Sequence, residues 1–170
     1  MEKKALTLTS IWLTHGHYDH VNAIDDVLHF SQVPVYISMH ESPSLIPSHV
    51  SDLRFVSHLD KLPLGHYSAS CIHTPGHTSG SMCFLIEDIL VSGDTLFIDG
   101  CGRCDFESSN PSHMYASLQT LKKLPKKTRV FPGHDYHEIK SDLIENQQKT
   151  NRFLLCKDEK EFLKKRMRLK

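Results

Sequence analysis

A mixed α/β fold, in one domain over residues 1–170, is predicted by three observations. Short β-rich runs alternate with segments of helical apolar spacing. Histidines and aspartates gather on the loops where those runs end. No internal repeat, low-complexity tract or linker divides the chain.

The elements follow in order. "LTLTSIWLT" (6–14) alternates and is rich in β-branched residues, so it reads as a strand delivering Thr14 to a histidine loop. "VNAIDDVLHF" (21–30) has apolar residues at helical spacing, and "VPVYIS" (33–38) is a short strand. "HESPSLIPSHVSDL" (40–53) carries prolines and serines and reads as a short helix and loop. "HYSASCIHTPGH" (66–77) contains a strand ending in a Pro-Gly turn. "SMCFLI" (81–86) and "ILVSGD" (89–94) form a hairpin around Glu87 and Asp88. "PSHMYASLQTLKKLP" (111–125) is the clearest helix, started by Pro111 and Ser112, with Met114, Leu118, Leu121 and Leu124 on its apolar face. "TRVFPGHDY" (128–136) is a last strand and loop, and 141–170 is a helical tail ending in "KKRMRLK".

Composition bounds the function. Apolar content of 39% over 170 residues supports a core. Twenty Lys and Arg balance twenty Asp and Glu, which argues against a nucleic-acid binder with a broad basic surface. No apolar run is long enough to span a membrane. The start "MEKKALTLTS" is basic, but its apolar stretch is too short for a signal peptide. The five cysteines are odd in number and lack a framework pattern, so they read as reduced thiols of a cytoplasmic protein. Thirteen histidines exceed what packing needs and point to a metal.

Four segments supply the ligands. In "THGHYDH", His15 and His17 flank Gly16 and share one side of an extended segment, and Gly16 leaves room for a close approach. Asp19 and His20 follow where the chain turns into a helix, placed to face a second ion. "TPGHTSGS" presents His77 after a Pro-Gly turn, "SGDTLF" presents Asp94, and "PGHDY" presents His134. Imidazole with carboxylate suits zinc, iron or manganese, and no cysteine joins the set.

These stretches resemble the metallo-β-lactamase superfamily in its glyoxalase II and persulfide dioxygenase branch. "THGHYDH", "TPGHTSGS", "GDTLFIDGCGR" and "PGHDY" carry the likeness over residues 14–136. The resemblance implies an αββα sandwich. It implies one metal on His15, His17 and His77, another on Asp19, His20 and His134, and Asp94 between them. Family members place several strands and a helix before this loop, whereas thirteen residues precede Thr14 here. The expected fold is therefore N-terminally truncated, with open strand edges that invite pairing with another chain, a second copy included.

The implied activity is hydrolysis of a thioester, of hydroxyacylglutathione or acyl-carrier type, by a metal-bridging hydroxide. Asp94 would position the two divalent metals, zinc first among them, and Asp19 would orient the nucleophile. Arg103 stands where the family places a basic residue near the glutathione or acyl-carrier end, and Tyr136 follows the His134 loop; both are expected at the substrate. A second reading is a mononuclear iron persulfide dioxygenase acting on glutathione persulfide, with His15, His77 and Asp94 as ligands. "GCGRCDF" and "HDYH" lean that way, while Ser81 in "TPGHTSGS" and "GDTLF" lean toward hydrolases. Short hydrolases of this branch that act on acyl thioesters, including some on polyketide pathways, also resemble this chain through "GCGRCD" and "MYASLQTLKKLP". The hydrolase reading is preferred. A third reading is a metal-binding remnant without turnover. Cys101 and Cys104 lack a redox context, and His40, His49, His58, His66, His73, His113 and His137 are not expected as ligands.

Overall fold

A computed structural model describes residues 6–169; the basic start Met1–Ala5 and Lys170, the last residue of the basic cluster, lie outside the described residues. The strands are β1 (Ile11–Trp12), β2 (Val35–Ser38), β3 (Leu53–Val56), β4 (Lys61–Leu64), β5 (Tyr67–His73), β6 (Met82–Ile86), β7 (Ile89–Gly93), β8 (Leu96–Phe97), β9 (Gly100–Cys101), β10 (Arg129–Pro132) and β11 (Asp142–Leu143). The helices are α1 (Tyr18–Val21), α2 (Ile24–Phe30), α3 (Pro111–Lys122), α4 (Ile144–Thr150) and α5 (Glu159–Arg166). Strands β1-β2-β3 form a parallel sheet, and β11-β10-β7-β6-β5-β4 form a second sheet in which only β10 and β7 run parallel. A small β8–β9 ribbon stands apart.

Period-two patterning explains the layers. In β6, Met82 and Phe84 face a core shared with Trp12 and Tyr36 of the small sheet. Cys83, between them, faces the opposite core with Met114, Leu118 and Leu121 of α3. In β2, Val35 and Ile37 turn the other way, onto Ile24 and Leu28 of α2. Helices thus cover the outer face of each sheet, and the sheets face one another. This is the predicted αββα sandwich. Ile89, Val91 and Phe131 of β7 and β10 remain partly open to solvent.

Several elements differ from the sequence reading. The strand predicted over 6–14 enters a ladder only at Ile11–Trp12, because β1 lies at the sheet edge and pairs with β2 alone. The helix predicted over 21–30 is two helices, broken at Asn22–Ala23, and its first turn begins in the histidine loop at Tyr18. The segment 40–53 holds a single 3-10 turn, Pro43–Leu45, where Pro43 opens the turn. Strands β3 and β4 were not predicted. Three of the four β4 residues are exposed, and Pro63 argues against a central strand. Strand β4 is the sheet edge, where proline is tolerated. The segment 141–170 is no purely helical tail: β11 extends the large sheet, and Ile144, Phe153, Leu154 and Phe162 are buried in its outer core. The hairpin and α3 match the reading. Glu87 adopts φ 51° at the hairpin turn, and Asn110 caps α3 by accepting from the His113 N–H at 3.0 Å.

Candidate metal centre

Four loops, each at the end of a strand, meet at one place. The loop after β1 carries His15, His17, Asp19 and His20; the loop between β5 and β6 carries His77; the end of β7 carries Asp94; the end of β10 carries His134. Local contacts hold the loops together. Met82 N–H donates to Thr14 O at 2.8 Å, and Gly133 N–H donates to Gly93 O at 2.9 Å. Ser117 of α3 donates to Pro75 O at 2.7 Å, and Ser109 donates to His77 O at 2.6 Å.

The structure brings all seven predicted ligands together. His15, His17 and His77 place nitrogen atoms within 4.8 Å of one another, as do the ligand atoms of His15, His20 and Asp94, and of Asp19, His20 and His134. Asp94 sits between the groups. Its Oδ1 lies 3.4 Å from His20 Nε2, and its Oδ2 lies 3.5 Å from His77 Nε2 and 3.3 Å from His134 Nε2. Asp19 Oδ2 is 3.4 Å from His134 Nε2. His77 donates its Nδ1–H to Arg103 O at 2.9 Å, which leaves Nε2 as a lone pair aimed at the cluster.

Burial sets the charge states. It holds His15 far below the ordinary imidazole value, with His20, His77, His17 and His134 adding repulsion. Burial also lowers His77 to about 4, against the hydrogen bond to Arg103 O, and lowers His17 and His20. Asp94 is pushed up to about 6, first by burial, although His134 pulls the other way. His15, His17, His20 and His77 are thereby held toward the neutral imidazole, the form that ligates metal. Among the described residues, buried His15 Nε2 and Asp94 Oδ1 have no hydrogen-bond partner. Orphaned buried acceptors inside a ring of lone pairs are costly unless a cation completes them. The donor set therefore fits divalent metals.

One expectation needs refinement. Gly16 is required by the 3-10 turn rather than by the ion: a Cβ there would stand 1.8 Å from Leu45 O. Gly133, not singled out in the sequence, has the metal-facing role, since its Cβ would meet Asp94 Oδ1 at 2.6 Å and His20 at 3.0 Å. A further residue escaped the sequence reading. Glu41, 4% exposed, accepts from Gly16 N–H at 3.2 Å and from the Thr78 hydroxyl at 2.9 Å through Oε2. Its Oε1 accepts from Ser42 N–H at 2.9 Å. It clamps the His15–His17 loop to the His77 loop. Only its position between β2 and the 3-10 turn reveals this; a glutamate in a serine-rich loop carries no such signal.

A cavity of about 800 Å³ opens on the cluster, within the range of small-molecule sites. Arg103 and Tyr136 both line it. Tyr136 stacks on His134 at 4.9 Å and meets Phe97 edge-on. Arg103 forms a two-point pair with Asp105, at 2.9 and 3.0 Å, and lies over Phe106. Cys101 and Cys104 are buried free thiols raised by burial, Cys104 to about 11, so they remain protonated. His137 sits 3.6 Å from Asp99, His40 and His73 stack on each other, and His49 lies 3.3 Å from Asp25.

The family model described as Metallo-beta-lactamase superfamily matches residues 2–134. The chain belongs to that superfamily. Its αββα sandwich and hydrolase-like His/Asp cluster are those of a superfamily member. The chain is 33% identical over 165 residues to "Probable polyketide biosynthesis zinc-dependent hydrolase PksB" of Bacillus subtilis (strain 168), covering 95% of this chain and 72% of that protein. It is 41% identical over 133 residues to "Hydroxyacylglutathione hydrolase" of Shewanella halifaxensis (strain HAW-EB4), covering 77% of this chain but 49% of that protein. Among solved structures it is similar to ETHE1 from Myxococcus xanthus, with TM-score 0.85 and 31% identity over 99% of this chain and 73% of the other. The chain thus spans about half of the hydroxyacylglutathione hydrolase and nearly three quarters of the other two. Among the described residues, no helix is long and apolar enough to cross a membrane.

Proposed function

We propose that this chain, as one domain over residues 1–170 and in the cytoplasm, is a thioester hydrolase using two divalent metals, zinc first among them. The observation that carries the reading is Asp94, with one oxygen toward His20 and the other toward His77 and His134. A carboxylate so placed suits two neighbouring cations. His15, His17 and His77 would hold one, Asp19, His20 and His134 the other, with Asp94 shared. When bound, such a pair activates water at neutral pH and polarises a carbonyl.

The chain's own groups do the rest. Burial keeps His15 and His77 neutral and free to ligate. The Arg103 carbonyl holds the His77 ring in one tautomer. Glu41 holds the loops of His17 and His77 in mutual register. Phe97 and Phe106 offer apolar walls to an acyl chain, and Tyr136 covers His134. A thiolate leaves without a dedicated proton donor, because a thiol has a pKa of about 8.5. The substrate is a small-molecule thioester, on glutathione or on a pantetheine arm such as that of an acyl-carrier protein. The relatives' names, a zinc-dependent hydrolase and a hydroxyacylglutathione hydrolase, support hydrolysis.

The likeness to the ETHE1 structure favours a second reading, a mononuclear iron persulfide dioxygenase on His15, His77 and Asp94. Metal analysis of anaerobically purified protein, with two assays, separates them. Two zincs per chain and hydrolysis of an acyl thioester are expected. A single iron with oxygen uptake on glutathione persulfide overturns the first reading. Asp94→Ala is expected to abolish turnover and lower metal content. His134→Ala is expected to cost a dinuclear hydrolase far more than a mononuclear dioxygenase; equal small losses count against the hydrolase.

A further inference from the structure

The chain has six arginines, and four of them, Arg103, Arg152, Arg166 and Arg168, line the cavity that opens on the metal cluster. Arg103, Arg166 and Arg168 also line an adjoining cavity of about 380 Å³, which none of the seven ligand candidates reaches. The guanidinium groups therefore sit on the flank of the site rather than among the histidines. They come from separate parts of the chain: the β9–α3 loop, the start of the α4–α5 connection, and the end of α5.

Their partners differ. Arg103 is neutralised by Asp105. Among the described residues, Arg152, Arg166 and Arg168 have no carboxylate within ion-pair distance. The Arg166 Nε is buried and has no hydrogen-bond partner. Arg152 and Arg166 lie over the same ring, Phe153, at 4.9 and 5.6 Å from its centroid. Phe153 is itself buried, so the ring is a fixed platform that orients both guanidinium planes. The cavity's carboxylates are otherwise engaged: Asp19 and Asp94 in the metal cluster, and Asp99 against His137.

We propose that Arg152, Arg166 and Arg168 form a phosphate-binding subsite that takes the phosphate end of a phosphopantetheine thioester, whose acyl end reaches the metal cluster. The proposal rests on the thioester-hydrolase reading. Three guanidinium groups with no carboxylate at ion-pair distance suit a phosphate, which accepts paired N–H donors from several directions. Glutathione offers only carboxylates partly offset by its own ammonium group, a poorer match for this excess of positive charge. Phosphopantetheine is supplied either by coenzyme A or by an acyl-carrier protein, and the two share the group recognised here.

The test uses the purified metal-loaded chain. Binding of desulfo-coenzyme A, which lacks the thiol and so cannot ligate the metals, is measured by calorimetry. Hydrolysis is measured with one acyl group on coenzyme A, on an acyl-carrier protein, on phosphate-free pantetheine and on glutathione. Arg152→Gln/Arg168→Gln changes only exposed side chains, so folding is preserved; Arg166→Gln is the second variant. In each, desulfo-coenzyme A is expected to bind about tenfold or more weakly. The preference for phosphate-bearing over phosphate-free thioesters is expected to fall by a similar factor. Faster turnover of the coenzyme A or of the carrier-protein substrate identifies the source, and either supports the subsite. Unchanged desulfo-coenzyme A affinity in both variants, or an arginine-dependent preference for the glutathione thioester, overturns it. If no thioester is hydrolysed while desulfo-coenzyme A binding still depends on the arginines, the subsite stands and the hydrolase reading falls.

Discussion

At the scale of single residues, the metal centre depends on side chains that touch no ion. Glu41 is the clearest. Its carboxylate is buried and shared between the Gly16 amide and the Thr78 hydroxyl, so it fixes the loops that carry His15, His17 and His77. Glu41→Gln replaces one acceptor by a donor that faces a hydroxyl and an amide. The expected outcome is a loss of metal affinity of about 10–100-fold. Chelator competition is the measurement. The loss should fall on the ion proposed for His15, His17 and His77, with the one proposed for Asp19, His20 and His134 keeping its affinity. An equal loss at both, or none, would show that Glu41 only packs. The ligand histidines and aspartates were readable as motifs because each lies within a few residues of the others or behind its own Pro-Gly or Ser-Gly turn. Glu41 was not, because its partners lie 25 and 37 positions away.

At the scale of elements, the wall of the cavity is held from a distance. The β8–β9 ribbon carries Phe97, Ile98, Asp99 and Gly100 into the cavity lining. Asn151, at the end of α4 and fully buried, donates to Phe97 O at 3.1 Å and to Gly100 O at 3.0 Å. Gln147 of α4 accepts from Asp99 N–H at 2.8 Å. Asn151→Ala removes the donor to both carbonyls and the acceptor of the buried Phe153 N–H at 3.0 Å, with an expected cost of about 1–3 kcal/mol in urea unfolding. A rise in KM should accompany it, because the wall loosens while the metal ligands stay in place. A change confined to kcat would contradict this division. The hairpin β6–β7 and helix α3 were readable because alternation and helical spacing are local patterns. The β3 and β4 strands were not: mostly exposed side chains and Pro63 give no strand pattern, and only the neighbouring strands supply their partners.

At the scale of the whole molecule, stability and metal loading are linked through pH. His15, His17, His20 and His77 all have folded values below the ordinary imidazole value of 6.5. Below that pH the unfolded chain takes up protons that the folded chain refuses, so these groups favour folding above it and lose that contribution as pH falls. Asp94 works in the opposite sense. Its folded value is raised to about 6, so the stability it contributes is present at low pH and lost as pH rises through about 6. Four imidazoles against one carboxylate leave a net loss on acidification. Metal-free protein is expected to melt several degrees lower at about pH 5.5 than at about pH 7.5. Metal added at the higher pH should raise the melting temperature, since it binds the folded, deprotonated site. An equal or higher melting temperature at the lower pH would count against the neutral-histidine arrangement.

The amino-acid sequence by itself determined the fold class, the superfamily and the identity of the seven clustered side chains. Each rests on short-range information: alternation within a strand, helical spacing within α3, and ligand types set on turns a few residues long. The tertiary structure decided which of those side chains face one another, that Asp94 stands between two groups, and that Gly133 rather than Gly16 borders them. It also decided that Glu41 bridges two loops, and that arginines 49 residues apart, Arg103 and Arg152, line one cavity. The physical reason is the range of the forces involved. Backbone preference and hydrophobic period act between near neighbours in sequence. Burial, which strips His15 of its charge and leaves His15 Nε2 and Asp94 Oδ1 unpartnered, exists only once distant segments have closed around the site.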